Sequence, residues 1–257
     1  MHSPVDQKIY DKEYYLKIND GWREFGEGKL SPRFITAIRH TGVTDFSGKN
    51  ILDIGFGRGE LLVHLAKQGA NCFGIDYSDA SIRIAKKFAE ENKASVDLRK
   101  MEVGAIKFGE KFFDAVFMLD VVEHLTDEEL EKCFSRVSEI LADGGVFVIH
   151  TMPNRFTALP FYFVSKVTNA KRGINEHVHI NEQTPFSLGR KLIEKFDAKI
   201  TMAHDRSYFK NTQFYAKHRA RIKPFVDLFL THDFSKIPVL NLALASEIWA
   251  VARKKNA

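Results

Sequence analysis

The chain predicts an α/β fold, a mostly parallel sheet with helices on both faces, on three observations. Short apolar runs of strand length alternate with segments whose apolar residues recur at helical spacing, from Ile51 to Ile149. The first run, Ile51-Leu52-Asp53-Ile54, passes through Gly55-Phe56-Gly57-Arg58-Gly59 directly into a helix start at Glu60-Leu61-Leu62. The second run, Ala70 to Ile75, ends on the carboxylate of Asp76, 21 residues beyond Gly55.

Alternating glycines let the backbone turn sharply and approach a ligand closely, so the loop reads as a nucleotide-cofactor loop. Its spacing, D-x-G-x-G-x-G, places Asp53 two residues before the first glycine. A dinucleotide fold sets its pyrophosphate on G-x-G-x-x-G against a helix N-terminus. A carboxylate at this point suits an ammonium-bearing ligand instead. Asp76, at the end of the second strand, can accept hydrogen bonds from both hydroxyls of a ribose. Ser78 is placed to cap a helix through Ile82, Ala85 and Phe88, and Val96 to Val103 alternates as a third strand.

Lys111-Phe112-Phe113-Asp114-Ala115-Val116-Phe117-Met118-Leu119-Asp120 reads as a fourth strand, running through Val121-Val122-Glu123-His124-Leu125 into a helix. Asp143-Gly144-Gly145 predicts a tight turn, and Val146 to Thr151 a fifth strand leading to Met152-Pro153-Asn154-Arg155. The order and spacing of these motifs, over roughly Lys49 to Asn154, resemble the class I S-adenosylmethionine-dependent methyltransferases. Within that family the likeness is to the small-molecule group that includes the ubiquinone-pathway enzymes and the type 11 methyltransferases.

The resemblance implies a Rossmann-like sheet of seven strands, the last antiparallel, with helical caps over the substrate. It implies S-adenosylmethionine as methyl donor, S-adenosylhomocysteine as product, and a cofactor set read onto matching positions. Asp53, Gly55, Gly57 and Gly59 would line the methionine end. Asp76 with Tyr77 would hold the ribose, Glu102 with Val103 would approach the adenine, and Asp120 with Val121 would lie beside the cofactor. The family more often has Asp where this chain has Glu102.

At 257 residues and 44% hydrophobic, the chain can bury one α/β core with additions. Residues 1–48 are expected to be an N-terminal helical arm or lid, and residues 49–257 the methyltransferase domain, with cap insertions at about 155–196 and 206–244. No eighteen-residue apolar run and no apolar segment in Met1 to Tyr10 predict a cytoplasmic protein without a membrane span. Cys72 and Cys133 lack metal-ligand spacing and read as reduced core thiols. The net charge of +5 is scattered, which favours a solvated surface over nucleic-acid binding.

The flanking segments are expected to set the substrate. The arm, with Tyr10, Tyr14, Tyr15, Trp22 and Phe25, fits either a lid over the cofactor or an amphipathic helix on the sheet edge. Phe156 to Phe196 is long for a crossover and contains an apolar run, Ala158 to Val164, then His177 and His179, before a helix at about Pro185 to Glu194. A sixth strand is expected near Ala198 to Ala203 and a last one at Ala245 to Ala252. The insertion between them joins a basic half, Lys217 to Lys223, to an apolar half. A cap helix explains that pattern, and peripheral contact with anionic lipid is the alternative.

Methyl transfer from a sulfonium is an in-line displacement, so the protein chiefly holds the acceptor in line and excludes water. A base becomes useful when the acceptor is a hydroxyl, and histidine suits that role. His177 is the first choice and His124 the second, while His64, His150 and His204 read as structural. No metal is assigned, although Asp120-x-x-Glu123-His124 resembles a carboxylate-rich site of quinone-pathway O-methyltransferases. The expected acceptor is a small molecule, most simply an oxygen on a glycan, a lipid-linked precursor or a partly apolar metabolite. A quinone-type phenol, a non-catalytic cofactor-binding subunit and an NAD-dependent oxidoreductase stay open as alternatives, and the oligomeric state is not legible.

Overall fold

A computed structural model describes residues 5–159, 178–204, 241–242 and 245–255. Seven strands form one sheet in the order β3-β2-β1-β4-β5-β7-β6. They are β1 (Asn50–Ile54), β2 (Asn71–Asp76), β3 (Val96–Lys100), β4 (Phe113–Leu119), β5 (Leu141–Thr151), β6 (Phe196–Ala203) and β7 (Glu247–Lys254). The first five pair in parallel, and β7 runs antiparallel between β5 and β6. The helices are α1 (Trp22–Gly26), α2 (Pro32–Thr41), α3 (Glu60–Ala66), α4 (Asp79–Glu91), α5 (Asp127–Ile140) and α6 (Pro185–Leu192).

Alternation along the strands splits the core into two layers. Leu52, Ile54, Val116 and Met118 face one way, with Phe134 and Val137 of α5 and Leu188 of α6. Ile51, Ala115 and Phe117 face the other, with Leu61 and Leu62 of α3, Ala37 of α2 and Trp249 of β7. This is the period-two pattern of strands buried on both sides. Since β1 lies between β2 and β4, the connections leaving β1 and β4 diverge. The crevice at their C-terminal ends is the place where open α/β sheets put their ligands.

Three local expectations are corrected. Asp143-Gly144-Gly145 does not precede β5 but lies inside it, at a register shift between the pairs Phe113↔Leu141 and Ala115↔Val146. Between those pairs β5 carries three residues more than β4, and Gly144, at φ 77°, lies in this irregularity of the ladder. The segment Val122–His124 is a 3-10 turn and not the start of α5. The helix begins later because Thr126 caps it, its hydroxyl accepting from Glu129 N–H while the Glu129 carboxylate accepts from Thr126 N–H. Finally, α6 ends at Leu192, two residues before Glu194. Among the described residues, no helix is long and apolar enough to cross a membrane.

Candidate functional site

A cavity of about 270 Å³ opens at the C-terminal ends of β1, β2 and β4. Its floor is the β1–α3 loop. Gly55 has φ 76°, and a Cβ there would come within 2.4 Å of Val121 Cγ2, so the first glycine lets the loop pass against the β4 end. Gly57 has φ 54°, and its missing side chain faces open space as far as Tyr15, 3.7 Å from the Cβ position. Gly59 is placed differently from the expectation. It is not among the residues lining the cavity; its Cβ position faces Ala85 of α4 at 2.9 Å, so its role is helix packing.

Asp53 and Asp76 both line the cavity and are buried. Burial, and after it the Asp76 and Glu60 carboxylates, push the Asp53 carboxyl up to about 8. Asp76 shapes the loop. Its carboxylate accepts from Gly57 N–H (3.1 Å), Ser78 N–H (2.9 Å) and the Ser81 hydroxyl (2.8 Å). Burial raises its pKa against these hydrogen bonds, which oppose the rise. Tyr77, Glu102, Val103, Asp120, Val121 and His124 complete the set of expected residues that line this cavity. His177 lies outside the described residues.

The N-terminal arm closes the other side. Tyr10, Tyr14 and Tyr15 are buried and line the cavity, and Arg58 holds the arm down. Its Nη1 donates to the Tyr15 carbonyl and Asn19 Oδ1, both at 2.8 Å, and its Nη2 to the Asp20 carbonyl at 2.8 Å and Glu60 Oε1 at 3.0 Å. Arg33 of α2 also lines the cavity; its Nη1 meets Asp120 Oδ2 at 2.5 Å and Asp20 Oδ2 at 2.7 Å, and its buried Nε has no hydrogen-bond partner among the described residues. Neither arginine was marked in the sequence. Arg58 sits in a glycine loop read for its glycines, and Arg33 lies in an unremarkable amphipathic helix far upstream.

Asp120 follows β4 with φ 55°, uncommon for a residue other than glycine. Burial alone would raise its pKa, but the Arg33 guanidinium and the His150 imidazole outweigh burial and hold the carboxyl below its ordinary range. Asp120 thus has its two carboxylate oxygens paired with Arg33 and His150. The ligand-capable atoms that do come together, within 4.8 Å of one another, belong to Glu123, His124 and His179. Burial first, then Asp120, push the Glu123 carboxyl up to about 8, and it accepts from the Thr151 hydroxyl at 2.7 Å.

His124 is the histidine at the cavity. Its Nδ1 lies 2.9 Å from the Val178 carbonyl oxygen, which can only accept, so Nδ1 carries a proton and Nε2 holds the lone pair of the neutral ring. Burial lowers its pKa, partly offset by the Val178 contact and Asp120. His150, expected to be structural, is fully buried and bonded to Asp120, while His64 pairs with Gln68 and His204 with Asn241. Cys72 and Cys133 are free, buried thiols pushed up to about 12 by burial, and for Cys72 also by Asp53.

Residues 51–145 match the family described as Methyltransferase domain. A ubiquinone biosynthesis O-methyltransferase of Coxiella burnetii is 27% identical over 168 residues, covering 63% of this chain and 70% of its own length. The fold is similar to the geranyl diphosphate C-methyltransferase of Streptomyces coelicolor A3(2), solved with Mg²⁺, geranyl diphosphate and S-adenosyl-L-homocysteine. The TM-score is 0.60 at 18% identity, over 98% of this chain and 90% of that one. It is similar also to the [4+2]-cyclase SpnF, with a TM-score of 0.65 at 18% identity, over 100% of this chain and 98% of that one. These two likenesses concern the fold alone; the matched sequence core speaks for the chemistry. By that core, with its glycine loop, its strand-end carboxylates and its acid–x–x–Glu–His turn, the chain carries a methyltransferase domain and is similar to the class I S-adenosylmethionine-dependent methyltransferases.

Proposed function

We propose that the cavity binds S-adenosylmethionine and that its methyl group goes to an oxygen of a small-molecule acceptor beside His124. The residues present fit the cofactor. Gly57 leaves a cradle that a side chain would fill, Asp53 offers a carboxylate for an ammonium, and Arg33 turns an unpartnered Nε into a buried site suited to a carboxylate. Asp76 with Tyr77 would hold the ribose, Glu102 with Val103 the adenine edge, and Val121 the reacting end. Bound there, S-adenosylmethionine supplies an electrophilic methyl group on a sulfonium. The chain's own contribution is to orient the acceptor, exclude water with the arm before Lys49, and take a proton at His124 Nε2.

The observation that carries this reading is the 2.9 Å contact of His124 Nδ1 with the Val178 carbonyl, which assigns the proton to Nδ1 and leaves a basic nitrogen on a residue lining the same cavity as the glycine loop. It also bears on the acceptor. Burial makes His124 a weak base. A phenol, with a pKa near that of tyrosine at about 10, gives up its proton to such a base more readily than an aliphatic hydroxyl nearer water's ~15.7. A quinone-type phenol, the chemistry named for the Coxiella relative, therefore takes precedence over a glycan or lipid-linked hydroxyl. On this reading His124 replaces His177 as first choice, the two insertions supply the acceptor's surroundings, and the protein works in the cytoplasm.

The test is transfer of labelled methyl from S-adenosylmethionine to a panel of polyprenylated catechols, glycans and lipid-linked hydroxyls. Catechol methylation on oxygen is expected; methylation confined to aliphatic hydroxyls, or none with any acceptor, counts against it. In single turnover His124→Gln should be slower by about 10²- to 10⁴-fold with cofactor affinity unchanged.

A further inference from the structure

We propose that Asn181 is a positioning residue for the proton acceptor. It fastens residues 178–181 against the turn after β4, so that the Val178 carbonyl accepts a hydrogen bond from His124 Nδ1–H and Nε2 is left as the basic atom. The inference rests on the proposed role of His124, and its test separates the two.

The turn is held from two sides. From β5, the Thr151 hydroxyl donates to Glu123 Oε2 at 2.7 Å. From the other side, the clamp is Asn181. Its backbone N–H donates to the Glu123 carbonyl at 3.0 Å, and its Nδ2 donates to the Leu125 carbonyl at 2.9 Å and to Asp127 Oδ1 at 2.8 Å. The side chain is itself oriented, because Gln183 Nε2 donates to Asn181 Oδ1 at 2.7 Å and to the Asn181 carbonyl at 2.9 Å. Among the described residues, the other hydrogen bond between residues 178–181 and the turn is the one from His124 to Val178.

The consequence for the ring is specific. A neutral imidazole exchanges its proton between two nitrogens, and the partner of one decides which is basic. Here the partner is a backbone carbonyl, whose position depends on where residues 178–181 sit. The ring is also flanked edge-on by Tyr10, with centroids 5.7 Å apart, and by His179, at 5.0 Å. Neither contact selects a tautomer. The groups facing it among the described residues, Asp120, Glu123, Tyr10 and His179, supply charge and bulk, and of the contacts among those residues it is the hydrogen bond to Val178 that distinguishes Nδ1 from Nε2.

The experiment is long-range ¹H–¹⁵N correlation on the full chain labelled with ¹⁵N-histidine, with His124 assigned by the signal lost in His124→Gln. The wild type should show neutral His124 protonated on Nδ1; an Nε2-protonated ring overturns the proposal, whatever the variants do. Asn181→Ala should move the ring toward the Nε2-protonated form and slow single turnover by about ten- to a hundredfold, with S-adenosylmethionine affinity unchanged. If Asn181→Ala fails to fold, Asn181→Ser takes its place under the same expectations. A tautomer that stays put in the variant overturns the clamp. A tautomer that shifts at constant rate upholds the clamp and overturns His124 as proton acceptor.

Discussion

His150 donates its Nδ1 proton to Asp120 Oδ1 at 2.5 Å, joining β5 to the residue that ends β4 in a left-handed conformation. The bond is buried and its far side is closed by Arg33, so the strained backbone of Asp120 is held by ionic contacts from α2 and β5. Burial alone would lower the His150 pKa, but Asp120, with help from Glu247, lifts it to about 9.

That lift makes stability depend on pH. The folded-state value of about 9 lies above the ordinary imidazole value of about 6.5, so the pair's contribution is complete below about 6.5 and lost as pH rises through 9. Between pH 6.5 and 9.5 the wild type should lose on the order of 1–3 kcal/mol more unfolding free energy than His150→Gln. Denaturant titrations at the two pH values measure it, and parallel losses in both proteins would contradict the pairing.

Asp53 predicts a proton linkage. With its carboxyl raised to about 8 in the free protein, it is largely protonated at neutral pH, and an ammonium placed against it favours the ionised form. Cofactor binding below pH 8 should release a proton. Affinity should tighten between pH 6 and 8, by up to about tenfold per unit, and Asp53→Asn should flatten the dependence. Calorimetry in buffers of different ionisation enthalpy detects the proton; a pH-independent affinity would remove Asp53 from the ammonium site.

Asp76 serves the loop as well as the proposed ribose, because Gly57 N–H, Ser78 N–H and the Ser81 hydroxyl all donate to it. Asp76→Ala should weaken cofactor binding by roughly thirty- to a thousandfold, a loss of about 2–4 kcal/mol. Unchanged affinity by calorimetry would place the ribose elsewhere.

The loop glycines should separate binding from folding. A side chain at Gly55 drives into Val121, whereas at Gly57 it meets space bounded by Tyr15. Gly55→Ala is expected to lower the melting temperature more than Gly57→Ala. Gly57→Val should fold, with strain of about 1–3 kcal/mol, and lose cofactor binding. A Gly57→Val protein that binds normally would show that the loop does not cradle the ligand.

Most of the sheet and cavity floor could be read from the chain because their signals are local. The β1 run and its glycines, Asp76 at a strand end and the cap at Ser78 each lie within a few residues of the structure they specify. The bulge at Gly144 was not legible, since a glycine pair after an acid predicts a turn equally well and only pairing with Phe113 decides. The pairs Arg33–Asp120 and His150–Asp120 join residues 87 and 30 positions apart, and no periodicity announces them. His150 read as structural for a good reason, being a polar residue in an apolar strand, yet its partner is the acid beside the cavity.

The hold of Arg58 on the arm makes the two a single cooperative unit. Peeling back Tyr15 to Asp20 would strip four carbonyl and amide acceptors from the guanidinium and leave it against Glu60. The loop beneath would then have lost the anchor at its centre. If the proposed cofactor fills the cavity, its exchange would be coupled to release of the N-terminus, and cleavage near Lys17 would slow when the pocket is full.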